Sequence, residues 1–269
     1  MTPFTFILRA EPEQRLDLSP LNGQNLAEKS LRDIEAIELQ TTRLVARVGD
    51  IFRLVDGDRQ SLYFDGGSAR FDRVGGAMAQ GLIVVDGDVG VEAGLGMTAG
   101  RLSVRGNAGD FAASQLSGGV VEIHGDAGAR LGGAPSGQTN GMSGGLVHVR
   151  GNVGERAGDR LRRGTILVEG RAGAYAGSRM IAGTLAIGGP IGDLPGYLMN
   201  RGTIFLAQTP ARLSPTCLDC GAHDLVAARL LAAYVSPISA AIGARLRRPL
   251  RRYAGDSAAL GKGEILIAL

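Results

Sequence analysis

The stretch Thr165-Ile-Leu-Val-Glu-Gly170-Arg-Ala-Gly173-Ala-Tyr-Ala-Gly177, closed by Arg179-Met-Ile-Ala-Gly183, decides the reading of the chain. It opens on alternating apolar residues, Ile166 and Val168, as a strand with one buried face should. A Gly-x-x-Gly pair follows, and a further glycine stands 13 residues after the first of the two. The pattern recurs along the sequence. Its first glycine falls at Gly87, Gly106, Gly125, Gly151, Gly170 and Gly189, in steps of 19 residues except for one of 26, which is one period plus seven residues. The glycine 13 residues on is Gly100, Gly119, Gly164, Gly183 and Gly202, with Gly145 in the same column once the seven extra residues after Gly125 are allowed for, and one period back it is Gly81. Ten residues after the anchor, with the insertion again allowed for at Met142 and Met78 one period before the first, comes an apolar column, Met78, Met97, Leu116, Met142, Leu161, Met180 and Met199, which holds five of the six methionines.

A 19-residue unit cannot bury its apolar face alone, whereas stacked copies about 4.8 Å apart pair every backbone group and build a continuous core. The inward pairs are Ile83 and Val85, Leu102 and Val104, Val121 and Ile123, Val147 and Val149, Ile166 and Val168, Leu185 and Ile187, then Ile204 and Leu206. A left-handed hexapeptide helix repeats in multiples of six, and 19 is not one. The sequence therefore predicts an all-β fold, a right-handed parallel β-helix of about seven coils over residues 62–209. The recurring glycines are expected to turn its corners at positive φ. Solenoid ends need caps. Residues 1–61 would supply one, with Ala36–Leu39 and Val48–Phe52 as short entering strands. Residues 210–269 would supply the other, with a helix over Asp224–Tyr234, further helix or loop between Pro237 and Pro249, and a closing strand Gly263–Leu269.

Composition fits a core of layered small side chains: 43 glycines and 4% aromatics in 269 residues, with no Trp. Glycine without a three-residue period excludes collagen, and 44% hydrophobic residues exclude disorder. A net charge of +3 with few aromatics predicts no nucleic-acid partner. No apolar run approaches the roughly 20 residues of a membrane span, so no membrane partner is expected. Arg9 and Glu11 break the N-terminus before a signal-peptide core can form, and two cysteines make no disulfide framework, so the expected location is cytoplasmic.

These coils resemble the Gly-rich β-helix shared by the C-terminal domain of the glutamate synthase large subunit and by the C subunits of formylmethanofuran dehydrogenase and of its bacterial relative, the formyltransferase/hydrolase complex. Three features resemble the second group. They are the insertion ending Asn140-Gly-Met-Ser-Gly-Gly145, the stretch Pro215-Thr-Cys-Leu-Asp-Cys-Gly221, and the tail Arg252-Tyr-Ala-Gly-Asp256 followed by Gly261-Lys-Gly-Glu-Ile-Leu266. The resemblance covers roughly residues 36–269. It implies a non-catalytic scaffold subunit in tetrahydromethanopterin- and methylofuran-dependent one-carbon metabolism (formaldehyde oxidation to formate). The chemistry would lie on partner subunits: a formyltransferase, an amidohydrolase-like hydrolase and a further dehydrogenase-like subunit. No cofactor is expected in this chain, with methylofuran or methanofuran the carrier in the complex. The alternatives are the C subunit of a molybdenum or tungsten formylmethanofuran dehydrogenase and a glutamate-synthase-type domain.

For this chain itself the residues predict no catalytic group and no metal site. Cys217 and Cys220 form a lone CxxC, and with His223 they reach three ligands where zinc takes four. Glu122, His124 and His148 fall on adjacent coils of one face and read as a surface ladder of pairable charges. The outward column Val84, Ser103, Glu122, His148, Leu167 is mixed, unlike the acid clusters of polysaccharide-cleaving β-helices. The insertion Gly133–Met142 is expected to leave the coil and touch a partner. Arg160 and Arg179 share a column, nine after the anchor, flanked by Arg162 and Arg163. Like charges on adjacent strands need a counter-charge. Asp159 is a local candidate. Carriers of the methanofuran type bear glutamate-rich tails, so the resemblance implies that Arg160, Arg162, Arg163 and Arg179 could bind an acidic carrier tail.

Overall fold

The computed structural model describes residues 2–41 and 44–269. The architecture is mostly β. The N-terminal part runs β1 (Pro3–Leu8), β2 (Leu16–Asp17), α1 (Gly23–Leu26), α2 (Leu31–Glu35), β3 (Glu38–Thr41), β4 (Ala46–Arg47), α3 (Val48–Ile51) and β5 (Phe52–Val55). Then come β6 (Asp58–Asp65), β7 (Phe71–Asp72) and one strand per repeat: β8 (Leu82–Asp86), β9 (Arg101–Val104), β10 (Val120–Ile123), β11 (Ser143–Val149), β12 (Arg163–Val168), β13 (Thr184–Ile187) and β14 (Arg201–Leu206). The chain closes with β15 (Leu218–His223), α4 (Val226–Val235), α5 (Ala240–Leu246), β16 (Leu250–Ala254) and β17 (Lys262–Ala268).

Among the described residues one sheet of 13 strands, with no closed barrel, runs in the order β15-β16-β17-β14-β13-β12-β11-β10-β9-β8-β6-β1-β5. From β1 through β17 its neighbours are parallel, and the two ends finish antiparallel. Partners in β12 and β13 lie 19 residues apart, as in Ile166↔Leu185, while Val121↔Val147 spans the insertion. A second set of parallel bridges links Val89, Ala108, Ala127, Val153, Ala172 and Ile191 in successive units. Every inward pair named from the sequence is fully buried, and so is the Met/Leu column from Met97 to Met199. The closing strand stands as read, β17 lying parallel to β14.

Leu116 and Leu161 already occupy the methionine column, so its geometry accepts a branched residue of similar volume. Met180→Leu is expected to cost less than about 1.5 kcal/mol. Urea unfolding checks this, and a larger loss would mean that the thioether, rather than volume, fills that corner.

Polar groups repeat with the same period. One residue after the anchor stand Asp88, Asn107, Asp126 and Asn152. Asp88 Oδ1 accepts from the Asn107 backbone N–H (2.7 Å) and amide (3.0 Å), and Asn107 Oδ1 accepts from Asp126 N–H (2.8 Å). Asp126 Oδ1 then accepts from Asn152 N–H (2.7 Å) and amide (3.1 Å). Carboxylate and carboxamide alternate, so no two carboxylates oppose each other.

The glycines do two jobs rather than the one expected. The column 13 after the anchor is left-handed throughout, as at Gly119 with φ +82°. Most anchor glycines are not. A Cβ on Gly170 would lie 2.4 Å from the Gly151 carbonyl oxygen, so close stacking of backbone, not turn geometry, selects glycine there.

The N-terminal end corrects the sequence reading. Glu38–Thr41 does form a strand, but in a separate four-stranded sheet ordered β4-β3-β2-β7. Val48–Ile51 is a helical turn, because Asp50 accepts the Arg47 backbone N–H at 3.0 Å and closes the chain on itself; only Phe52 begins a strand. The strand that enters the array is β1. Its Phe4 and Phe6, with Phe52, Phe64 and Phe71, gather five of the seven phenylalanines into a buried plug, Phe6 stacked on Phe64 at 4.6 Å.

The C-terminal helices make a second core. Leu167, Ala186, Phe205 and Leu266, on the outward face of β12, β13, β14 and β17, are buried beneath Ala228, Ala232, Val235, Ile242 and Leu246 of α4 and α5. The helix expected over Asp224–Tyr234 is present as α4. The outward column is therefore a solvent ladder only up to Glu122, and the reading of His148 and Leu167 as exposed is overturned.

Candidate functional site

The four arginines separate into two kinds. Arg179 and Arg160 sit at left-handed backbone positions, φ +52° and +55°. Arg179 Nη2 donates to both oxygens of Asp159, at 2.9 and 2.7 Å, and Nε adds a third bond at 3.0 Å. Asp159 is buried and also accepts from the Ser178 hydroxyl at 2.7 Å, so its charge is matched inside the chain. Arg160 Nη1 donates to the Gln138 carbonyl at 2.7 Å, and the Gly141 N–H donates to the Arg160 carbonyl at 3.1 Å. Arg160 thereby pins both arms of the insertion. Its residues Ser136 to Asn140 are exposed.

Arg162 and Arg163 are exposed and make no ion pair among the described residues. They line a cavity of 380 Å³ with Asn200, Arg201 and Leu260. Sequence reasoning missed Arg201. Its signal was the period: Arg201 lies two 19-residue steps beyond Arg163. Three guanidinium groups around one depression attract carboxylates, and each can bind one bidentately.

The histidine face resolves into separate pairs. Glu122 lies in register with His148, yet it pairs with Arg101 at 2.7 Å, while His148 Nε2 meets Glu169 Oε1 at 3.0 Å. Burial holds His124 below the usual imidazole value, helped by the positive charge of Arg150.

The two sequence motifs of the C-terminal part meet. Asp256 is fully buried. Its carboxylate accepts from the Thr216 hydroxyl (2.5 Å), the Leu198 N–H (2.7 Å) and the Ala258 N–H (2.9 Å). Burial pushes this carboxyl up, but the three donors outweigh burial and hold it below the ordinary carboxylate value. Asp256 thus ties the last repeat, the segment following it and the tail into one knot. Cys217 packs half-buried against the main core; burial, then the Asp256 charge, raises its thiol, which keeps it protonated. Cys220 is exposed, and the His223 ring lies 2.8 Å from the Cys220 carbonyl oxygen. Among the described residues no three His, Cys, Asp or Glu side chains are placed to hold a metal ion. Among the described residues no helix is long and apolar enough to cross a membrane.

No family model matches the chain. It is 52% identical over 265 residues, 98% of each chain, to the C subunit of the formyltransferase/hydrolase complex Fhc of Methylorubrum extorquens AM1. It also superposes, with TM-score 0.91 and 42% identity, on a chain of the crystal structure of the formyltransferase/hydrolase complex FhcABCD from Methylorubrum extorquens in complex with methylofuran. That match covers 98% of this chain and 99% of the other.

Proposed function

The chain belongs to the family of the C subunit of the formyltransferase/hydrolase complex, and on that footing we propose that it is a non-catalytic scaffold subunit of such a complex. The observation that carries the reading is similarity over almost the whole of both chains. Its partners would be a formyltransferase, an amidohydrolase-like hydrolase and a dehydrogenase-like subunit, working in the cytoplasm on formyl groups carried by methylofuran. The internal use of its polar groups supports catalytic idleness: His148 is spent on Glu169, Arg179 on Asp159, and the Cys217 thiol is held protonated. We read the stacked units as coils of a right-handed parallel β-helix over residues 62–209, capped by 1–61 and 210–269. The two parallel ladders that repeat with the period support this.

Affinity purification of the tagged chain followed by native mass spectrometry tests the assignment. A formyltransferase and an amidohydrolase-like chain should come with it; a molybdenum or tungsten subunit, or an amidotransferase, would replace the reading.

Arg160, Arg162, Arg163 and Arg179 keep their proposed role along the path of an acidic carrier tail. Arg162 and Arg163, joined by Arg201, carry it most directly, since they line one open cavity and are exposed. Replacing Arg162, Arg163 and Arg201 by Gln should raise the apparent KM for the tailed carrier severalfold at low salt, and less as salt screens the attraction. A tail-less analogue should be unaffected; equal effects on both substrates would refute tail guidance.

A further inference from the structure

Helix α4 is apolar on both sides except for the exposed Arg229. Ala228, Ala232 and Val235 are buried on the sheet. The opposite side carries Val226, Leu230 and Tyr234, 61%, 68% and 53% exposed, together with the exposed Ala227 and Ala233. On α5, Ala240, Ala241 and Ala244 are exposed as well. A surface helix ordinarily turns polar residues to solvent, and exposed apolar patches mark interaction sites. Two exposed arginines, Arg247 and Arg248, follow at the end of α5 and make no ion pair among the described residues. The exposed acid just before α4, Asp224, is already paired with Arg229 at 3.2 Å.

We infer that the outward face of α4 and α5 is the docking surface for a different chain, one whose own face is apolar and edged by carboxylates. The charge pattern selects that occupant. A second copy offers this face more arginines and no spare carboxylate, so self-association leaves Arg247 and Arg248 unmatched. A lipid surface suits it poorly, because the alanines favour close helix packing and Tyr234 is the one aromatic residue on the face. Leu230 and Tyr234 are the anchors, filling pockets on the partner, and the arginines sit at the rim. The inference rests on the scaffold reading and adds the face and the chemistry of what it holds.

The test uses the complex produced by co-expression of all its subunits. Leu230→Glu with Tyr234→Glu should leave the melting temperature of the chain within about 3 °C, as exposed substitutions do. The same variant should reduce recovery of at least one other subunit tenfold or more. Arg247→Glu with Arg248→Glu should reduce it at low salt and by less at 0.5 M salt, because salt screens exposed rim charges. Unchanged recovery with both variants, while the native chain does assemble, overturns this inference and leaves the scaffold reading standing. A native chain that brings down no other subunit overturns both. A native chain that dimerises alone through this face, or floats with phosphatidylserine vesicles, also overturns it when the Glu variants lose that behaviour and keep their subunits.

Discussion

Gly119→Val is expected to lose about 4 kcal/mol or more of folding stability. Gly119 has φ +82°, where an L residue pays about 1–2 kcal/mol and a β-branched one more. An added Cβ would also stand 2.6 Å from the Gly100 carbonyl oxygen and 2.8 Å from the Ala99 carbonyl carbon. Both are backbone of the preceding unit, so the collision cannot relax by a rotamer change, and overpacking adds about 1–3 kcal/mol. Gly96 separates the two costs. It too is left-handed, at φ +64°, but an added Cβ meets nothing within 4 Å. Gly96→Ala should cost only about 1 kcal/mol. Urea midpoints at constant slope measure both. Similar losses at the two sites would show that backbone conformation, not stacking distance, dictates the column.

Asp256→Ala comes next, at about 3 kcal/mol, because three donors that meet a buried carboxylate lose it together. The pH dependence follows from the direction of its shift. A carboxyl held below its unfolded value of about 3.9 contributes stability that is complete above that value. The contribution disappears as pH falls through the lower folded value. The difference in unfolding free energy between native chain and variant should therefore be flat from neutral pH down to about pH 5 and shrink below pH 4. A difference that grew on acidification would mean that Asp256 is protonated in the fold.

The inner half of this architecture was legible because each unit templates the next. A period of 19, an alternation ending at a glycine and a methionine column are three independent signatures of the same stacking, and the buried residues fall where they point. The outer half was harder for a physical reason. Outward positions report whatever lies over them, and the cover is discontinuous. Ser103 and Glu122 face solvent or ion pairs, while Leu167, Ala186 and Phe205 lie under α4 and α5. Following the column past Leu167 to Ala186 and Phe205 would have revealed the second core. At the N-terminus Phe4 and Phe6 alternate over too few residues to stand out, and the local bond from Asp50 defeated a strand reading of Val48–Ile51. Among the arginines, the counter-charge of Arg179 was legible in its neighbour Asp159, whereas the grip of Arg160 on the Gln138 carbonyl depends on how the insertion folds back.

The alternation of Asp88, Asn107, Asp126 and Asn152 gives the array a parity. Deleting the unit that carries Asn107 would bring the carboxylates of Asp88 and Asp126 together, and like charges opposed across strands repel. Deleting two consecutive units keeps each carboxylate next to a carboxamide. Among these four units, duplication or loss should thus be tolerated in pairs. An odd change that makes two Asp-bearing units neighbours would need a compensating Asp-to-Asn exchange at the new junction.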